Sequence, residues 1–128
     1  MFTASYRVAG LRDGRTGEPL NPDALAGRRV AAVCGIGDPE GFVRTLERLG
    51  ARVADRAVFP DHHWYDAADH RRIAHLLAAA DAVVTTEKDI AKLDTAVLQA
   101  GTLAVLAVEQ VFDECDRFFS AVRDRAGL

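Results

Sequence analysis

Arg28-Arg29-Val30-Ala31-Ala32-Val33-Cys34-Gly35-Ile36-Gly37-Asp38-Pro39-Glu40-Gly41-Phe42 decides how the chain is read. The unbroken apolar run Val30–Cys34 has the signature of a strand buried on both faces. Gly35-Ile36-Gly37 breaks it, and Asp38-Pro39 then supplies an N-cap and a first helical residue. Phe42, Val43, Leu46 and Leu49 fall on one face of the helix that follows, and Gly50 ends it. A buried strand feeding an amphipathic helix is the unit of an α/β fold.

Outward from that unit the alternation continues. Arg52–Phe59 reads as a second strand and Pro60–Tyr65 as a loop. Ile73, Leu76, Leu77 and Ala80 give another helical stripe, and Ala82–Thr85 and Leu103–Val108 two more short strands. Val111, Phe112, Cys115, Phe118, Phe119 and Val122 predict a closing helix. On the N-terminal side, Ala4–Val8 reads as a short strand. The segment from Gly10 to Arg29, with Gly14, Gly17, Pro19 and Pro22, reads as a turn-rich linker. Within it, Asn21-Pro22 followed by Gly27 predicts one capped helical turn. The expected fold is a small three-layer, Rossmann-like α/β domain over residues 28–128, with a mostly parallel sheet of about four strands flanked by helices. A hinge-like strand and linker, residues 1–27, precedes it.

Length and composition narrow the function. The chain has 128 residues, 49% of them hydrophobic and 27% charged, enough for one domain with a core. A net charge of −3 argues against nucleic-acid binding by bulk electrostatics. Cys34 and Cys115 fall in apolar register and read as core thiols of a reducing compartment, the cytoplasm. Leu103–Val108 falls far short of the roughly 18–20 apolar residues of a membrane span. Arg7 interrupts the N-terminal apolar stretch, unlike a signal peptide.

In sheets of this kind functional groups gather at the carboxyl ends of the strands. Three segments fall there: Gly35–Glu40, Pro60–Tyr65 and Thr85–Asp89. The first is no dinucleotide fingerprint, because Glu40 replaces the third glycine and Asp38 adds negative charge; a tight turn with an acidic cap explains it. A P-loop is excluded, since neither Lys88 nor Lys92 follows a glycine. The second segment holds Asp61, His62 and His63, a carboxylate and two imidazoles. They suit general acid–base work or metal ligation, against the plain alternative of a solvated loop with an Asp cap. No further cluster has ligand spacing, and His70 and His75 stand about 140° apart around a helix. No metal site is expected. In the third segment Thr86 and Asp89 read as a helix start, with Glu87 and Lys88 as a possible ion pair facing the same cleft.

Taken in order, Gly35-Ile36-Gly37-Asp38-Pro39-Glu40 with Phe42, then Leu46, Leu49-Gly50-Ala51, then Phe59-Pro60-Asp61-His62-His63, then Thr85-Thr86-Glu87-Lys88-Asp89 resemble the C-terminal half of tetraacyldisaccharide 4′-kinase. This is the lipid A kinase of Gram-negative bacteria, and the similarity runs from about Arg28 to at least Leu93. The resemblance implies an enzyme at the cytoplasmic face of the inner membrane that transfers the ATP γ-phosphate to the 4′-hydroxyl of a lipid A disaccharide, with Mg²⁺. It implies that the P-loop and the catalytic base lie in an N-terminal kinase domain, the partner of this chain in cis or in trans. It gives Asp61 and His62 a supporting catalytic role; His63, Glu87, Lys88 and Asp89 stand beside them as candidate cleft residues by their place at the strand ends. By this reading the chain alone is inactive and binds no cofactor. The alternative is a free-standing binding or regulatory module with the same fold. A metal-dependent phosphoesterase would need aspartates on earlier strands, and Val30–Cys34 has none.

Overall fold

The computed structural model describes residues 4–35, 38–60 and 63–112. Its sheet has six strands in the order β2-β1-β6-β5-β3-β4. The central strands are β3 (Arg29–Cys34) and β5 (Ala82–Thr86), both buried on the two faces as their apolar runs require. β3 pairs in parallel with β4 (Arg52–Val58) on one side and with β5 on the other. β5 in turn pairs in parallel with β6 (Leu103–Phe112). β1 (Ala4–Asp13) runs antiparallel to β6, and the two-residue β2 (Pro19–Leu20) antiparallel to β1.

Helices cover both faces. Helix α1 (Pro39–Arg48) starts at Asp38, whose carboxylate accepts the Gly41 N–H at 3.0 Å, and gives Phe42 and Leu46 to one core with Val30, Ala32, Cys34 and Val84. Helix α2 (Ala67–Ala79) gives Ile73, Leu76 and Leu77 to a second core with Ala31, Val33 and Val83. The alternation of β3 residues between the two cores is the strand period made visible. The capped turn also forms: Asn21 accepts the Asp23 N–H at 2.9 Å at the start of a 3-10 turn, Pro22–Leu25, and Gly27 follows with φ +75°.

Three expectations change. The N-terminal strand does not stop near Val8 but runs to Asp13, its pairing with β6 shifting register between Val8 and Gly10. Val111 and Phe112 open no helix; they end β6, opposite Ser5 and Ala4 of β1. Cys115, Phe118, Phe119 and Val122 lie outside the described residues. The sheet therefore has six strands, not about four, because residues 4–13 and 19–20 add antiparallel strands at its edge. β2 pairs locally with β1, but the pairing of β1 with β6 joins residues about ninety or more apart, and no window of local sequence carries it.

Candidate functional site

The chain leaves β3 toward the face covered by α1. It leaves β5 toward the opposite face, where Leu93 and Leu98 join the core of α2. Connections that part in this way open a crevice between the carboxyl ends of two adjacent parallel strands, the usual ligand position in α/β sheets. Here the crevice is closed at its base by Asp89.

Asp89 lies in the short helix α3 (Glu87–Ile90) and is only 2% exposed. Thr86 caps that helix by accepting the Asp89 N–H at 3.1 Å, and its hydroxyl donates back to Asp89 Oδ2 at 2.5 Å. The Gly35 N–H, just past β3, donates to the same oxygen at 3.0 Å. The Tyr65 hydroxyl donates to Oδ1 at 2.9 Å. One buried carboxylate thus binds donors from all three carboxyl-end segments. Burial and then the Asp89 charge push the Tyr65 phenol far above its ordinary range, so it stays a donor. Gly35 suits a crowded place: a Cβ there would stand 3.0 Å from Asp89 Oδ1 and 3.2 Å from the Pro60 carbonyl oxygen, so these neighbours would have to give way by a few tenths of an ångström.

Beside this anchor lies a second pair. His63 Nε2 is 2.7 Å from Asp69 Oδ2, both side chains being partly buried. The imidazole stacks on Phe59 with centroids 4.8 Å apart and meets Tyr65 edge-on at 5.0 Å. Asp69 belongs to a capping box with Asp66 at the start of α2. Partial burial works to raise its carboxyl; the Asp66 N–H and the His63 side chain outweigh that and hold it below the ordinary value.

Of the sequence-derived candidates, Asp61 and His62 lie outside the described residues. Their neighbours on both sides are held: the Phe59 N–H donates to the Cys34 carbonyl at 2.8 Å and the His63 N–H to that of Pro60 at 3.1 Å. His63 and Asp89 fall in one cluster, joined through Tyr65. Glu87 and Lys88 are exposed on α3, and Glu87 lies 3.8 Å from Arg12 of β1. Glu40 reaches Arg56 of β4 at 2.7 Å, an exposed pair away from the crevice. Both ring nitrogens of His70 are engaged by backbone. Its Nε2 accepts the Asp94 N–H at 2.9 Å, which leaves the proton on Nδ1, 2.8 Å from the Asp66 carbonyl. Among the described residues no group of three His, Cys, Asp or Glu side chains is placed to hold a metal ion.

Tyr65 and Asp69 were not singled out by sequence. The signal for Asp69 was present: Asp66 and Asp69 have the spacing of a capping box just after the histidines. Tyr65 also leads outward to a groove of about 560 Å³ between α2 and the α3–β6 connection, lined by Tyr65, His70, Arg71, Lys92 and Val97. At this end Trp64 is 79% exposed, with the Lys92 ammonium 5.7 Å from its ring centroid.

The family model described as Tetraacyldisaccharide-1-P 4′-kinase matches residues 3–126. The Tetraacyldisaccharide 4′-kinase of Anaeromyxobacter dehalogenans (strain 2CP-1) is 45% identical over 108 residues, covering 83% of this chain and 28% of that protein. That of Rhodospirillum centenum is 42% identical over 111 residues, covering 86% and 32%. The crystal structure of the "apo" form of LpxK from Aquifex aeolicus in complex with ATP shares the fold, with a TM-score of 0.53 and 22% identity over 96% of this chain and 35% of that one. The chain spans between about a quarter and a third of the length of these relatives. It belongs to the tetraacyldisaccharide-1-P 4′-kinase family.

Proposed function

We propose that the chain is the smaller, C-terminal domain of an ATP-dependent kinase that phosphorylates the 4′-hydroxyl of the tetraacyldisaccharide 1-phosphate precursor of lipid A. It works with a P-loop kinase domain supplied in cis or in trans, at the cytoplasmic face of the inner membrane. Residues 28–128 form the domain, and residues 1–27 connect it to the P-loop half while lending strands to its sheet. The observation that carries this reading is the Asp89 network, which ties the family's motif segments together at one crevice.

The residues present do not fit ATP or Mg²⁺ as resident ligands of this chain. No lysine follows a glycine, and the described residues offer no metal cluster. The phosphate cradle, the metal and the base are therefore assigned to the partner domain. What this chain contributes is position and charge, the two things phosphoryl transfer depends on. The family resemblance gives Asp61 and His62 the part of assisting the base across the domain boundary. The Asp89 anchor and the aromatic cluster of Phe59, His63 and Tyr65 hold the residues that flank them. Among the described residues no helix is long and apolar enough to cross a membrane.

Substitution in the complete two-domain enzyme tests the assignment. Asp61→Asn and His62→Gln should each lower kcat by about a hundredfold, the usual worth of positioned acid–base help, with folding unchanged. Full activity in both variants would remove the role given to this loop.

A further inference from the structure

Asp69 does more than a helix cap requires. A capping box needs its carboxylate only for the Asp66 N–H, which Oδ2 accepts at 3.0 Å. The same oxygen also lies 2.7 Å from His63 Nε2, bridging from the first turn of α2 back to the preceding loop. An ionised carboxylate can only accept, so His63 carries a proton on Nε2. The ring is further confined by Phe59 on its face and Tyr65 at its edge, and Tyr65 is bonded to buried Asp89. Asp69 itself is rigid, because α2 is fixed by Ile73 and Leu77 in the core.

We propose that Asp69 is a positioning residue: through His63 it fixes one imidazole tautomer and one orientation, and with them the end of the segment that carries Asp61 and His62. The catalytic consequence rests on the kinase reading above; the fixing of His63 does not. The second histidine of the pair is thus held by the scaffold.

Two measurements test this separately. In the full chain, long-range ¹H–¹⁵N correlation reports the His63 tautomer. The native chain should show the Nε2–H form alone, Asp69→Ala a mixture of both, and Asp69→Asn, whose carbonyl oxygen can accept the same two bonds, the native form again. Both tautomers in the native chain, or no change in Asp69→Ala, would overturn the proposal.

In the complete enzyme, His63→Phe keeps the stacking on Phe59 and leaves the α2 cap intact. It should lower kcat by about tenfold or more, through misplacement of the loop, with the KM for ATP unchanged. Adding Asp69→Ala to it should cause little further loss, because the two act as one unit. Independent, multiplying losses would contradict the pairing. A complete enzyme that is inert even with the native chain would overturn the kinase reading alone, while the tautomer still decides the role of Asp69.

Discussion

A carboxylate 2% exposed, such as Asp89, needs donors in place of water, and Gly35, Tyr65 and Thr86 supply them. The arrangement predicts unequal effects of two substitutions. Asp89→Ala orphans all three donors and should cost about 3 kcal/mol of unfolding free energy. In Asp89→Asn the amide oxygen can take the place of Oδ2, while its NH₂ donates to the Tyr65 oxygen. That variant should cost about 1 kcal/mol. It should also let the Tyr65 phenol titrate at lower pH, since the charge that helps to raise it is gone. Urea denaturation and the ultraviolet titration of Tyr65 measure the two effects. Equal losses in stability would mean that the carboxylate is filler and not an anchor.

Among the elements, the connection from α3 to β6 is the least regular and the most dependent on a distant part of the chain. Arg15, in the turn between β1 and β2, donates from its guanidinium to the carbonyls of Leu98 at 2.7 Å and of Ala100 and Gly101 at 2.8 Å. Gly101 turns the chain into β6 with φ +71°, and a Cβ there would stand 2.5 Å from the Leu77 carbonyl oxygen. Gly17 has φ +79° but open space around it. Gly17→Ala should therefore cost only the left-handed penalty of about 1–2 kcal/mol. Gly101→Ala adds a backbone collision and should cost more, and a loss no larger than that of Gly17→Ala would show that this connection simply shifts aside. Helix starts were legible because capping is local: Asn21, Asp38 and Thr86 all cap where sequence puts them. The end of β6 was not, because Val111 and Phe112 suit a helical stripe as well as a strand until β1 is brought alongside.

For the whole molecule, the legible part was the parallel unit. Continuous apolar runs mark β3 and β5, helical stripes mark α1 and α2, and their alternation sends three motif segments to one edge of the sheet. The convergence of Gly35, Tyr65 and Asp89 follows from that topology. What escaped was the β1–β6 pairing, between distant parts of the chain, and the Asp69–His63 bridge, whose partners are six residues apart but belong to a cap and a loop. Both depend on pairs of groups whose meeting is settled only once the chain has folded. We propose that this fold serves a kinase whose phosphate-binding half lies in a partner domain. The most direct test replaces the matching segment of the Anaeromyxobacter dehalogenans (strain 2CP-1) enzyme with this chain and follows the ATP γ-phosphate onto tetraacyldisaccharide 1-phosphate. Transfer that requires ATP and Mg²⁺, and that falls sharply on substitution of His62, is the predicted result. A chimaera that folds and binds ATP yet transfers no phosphate would contradict it.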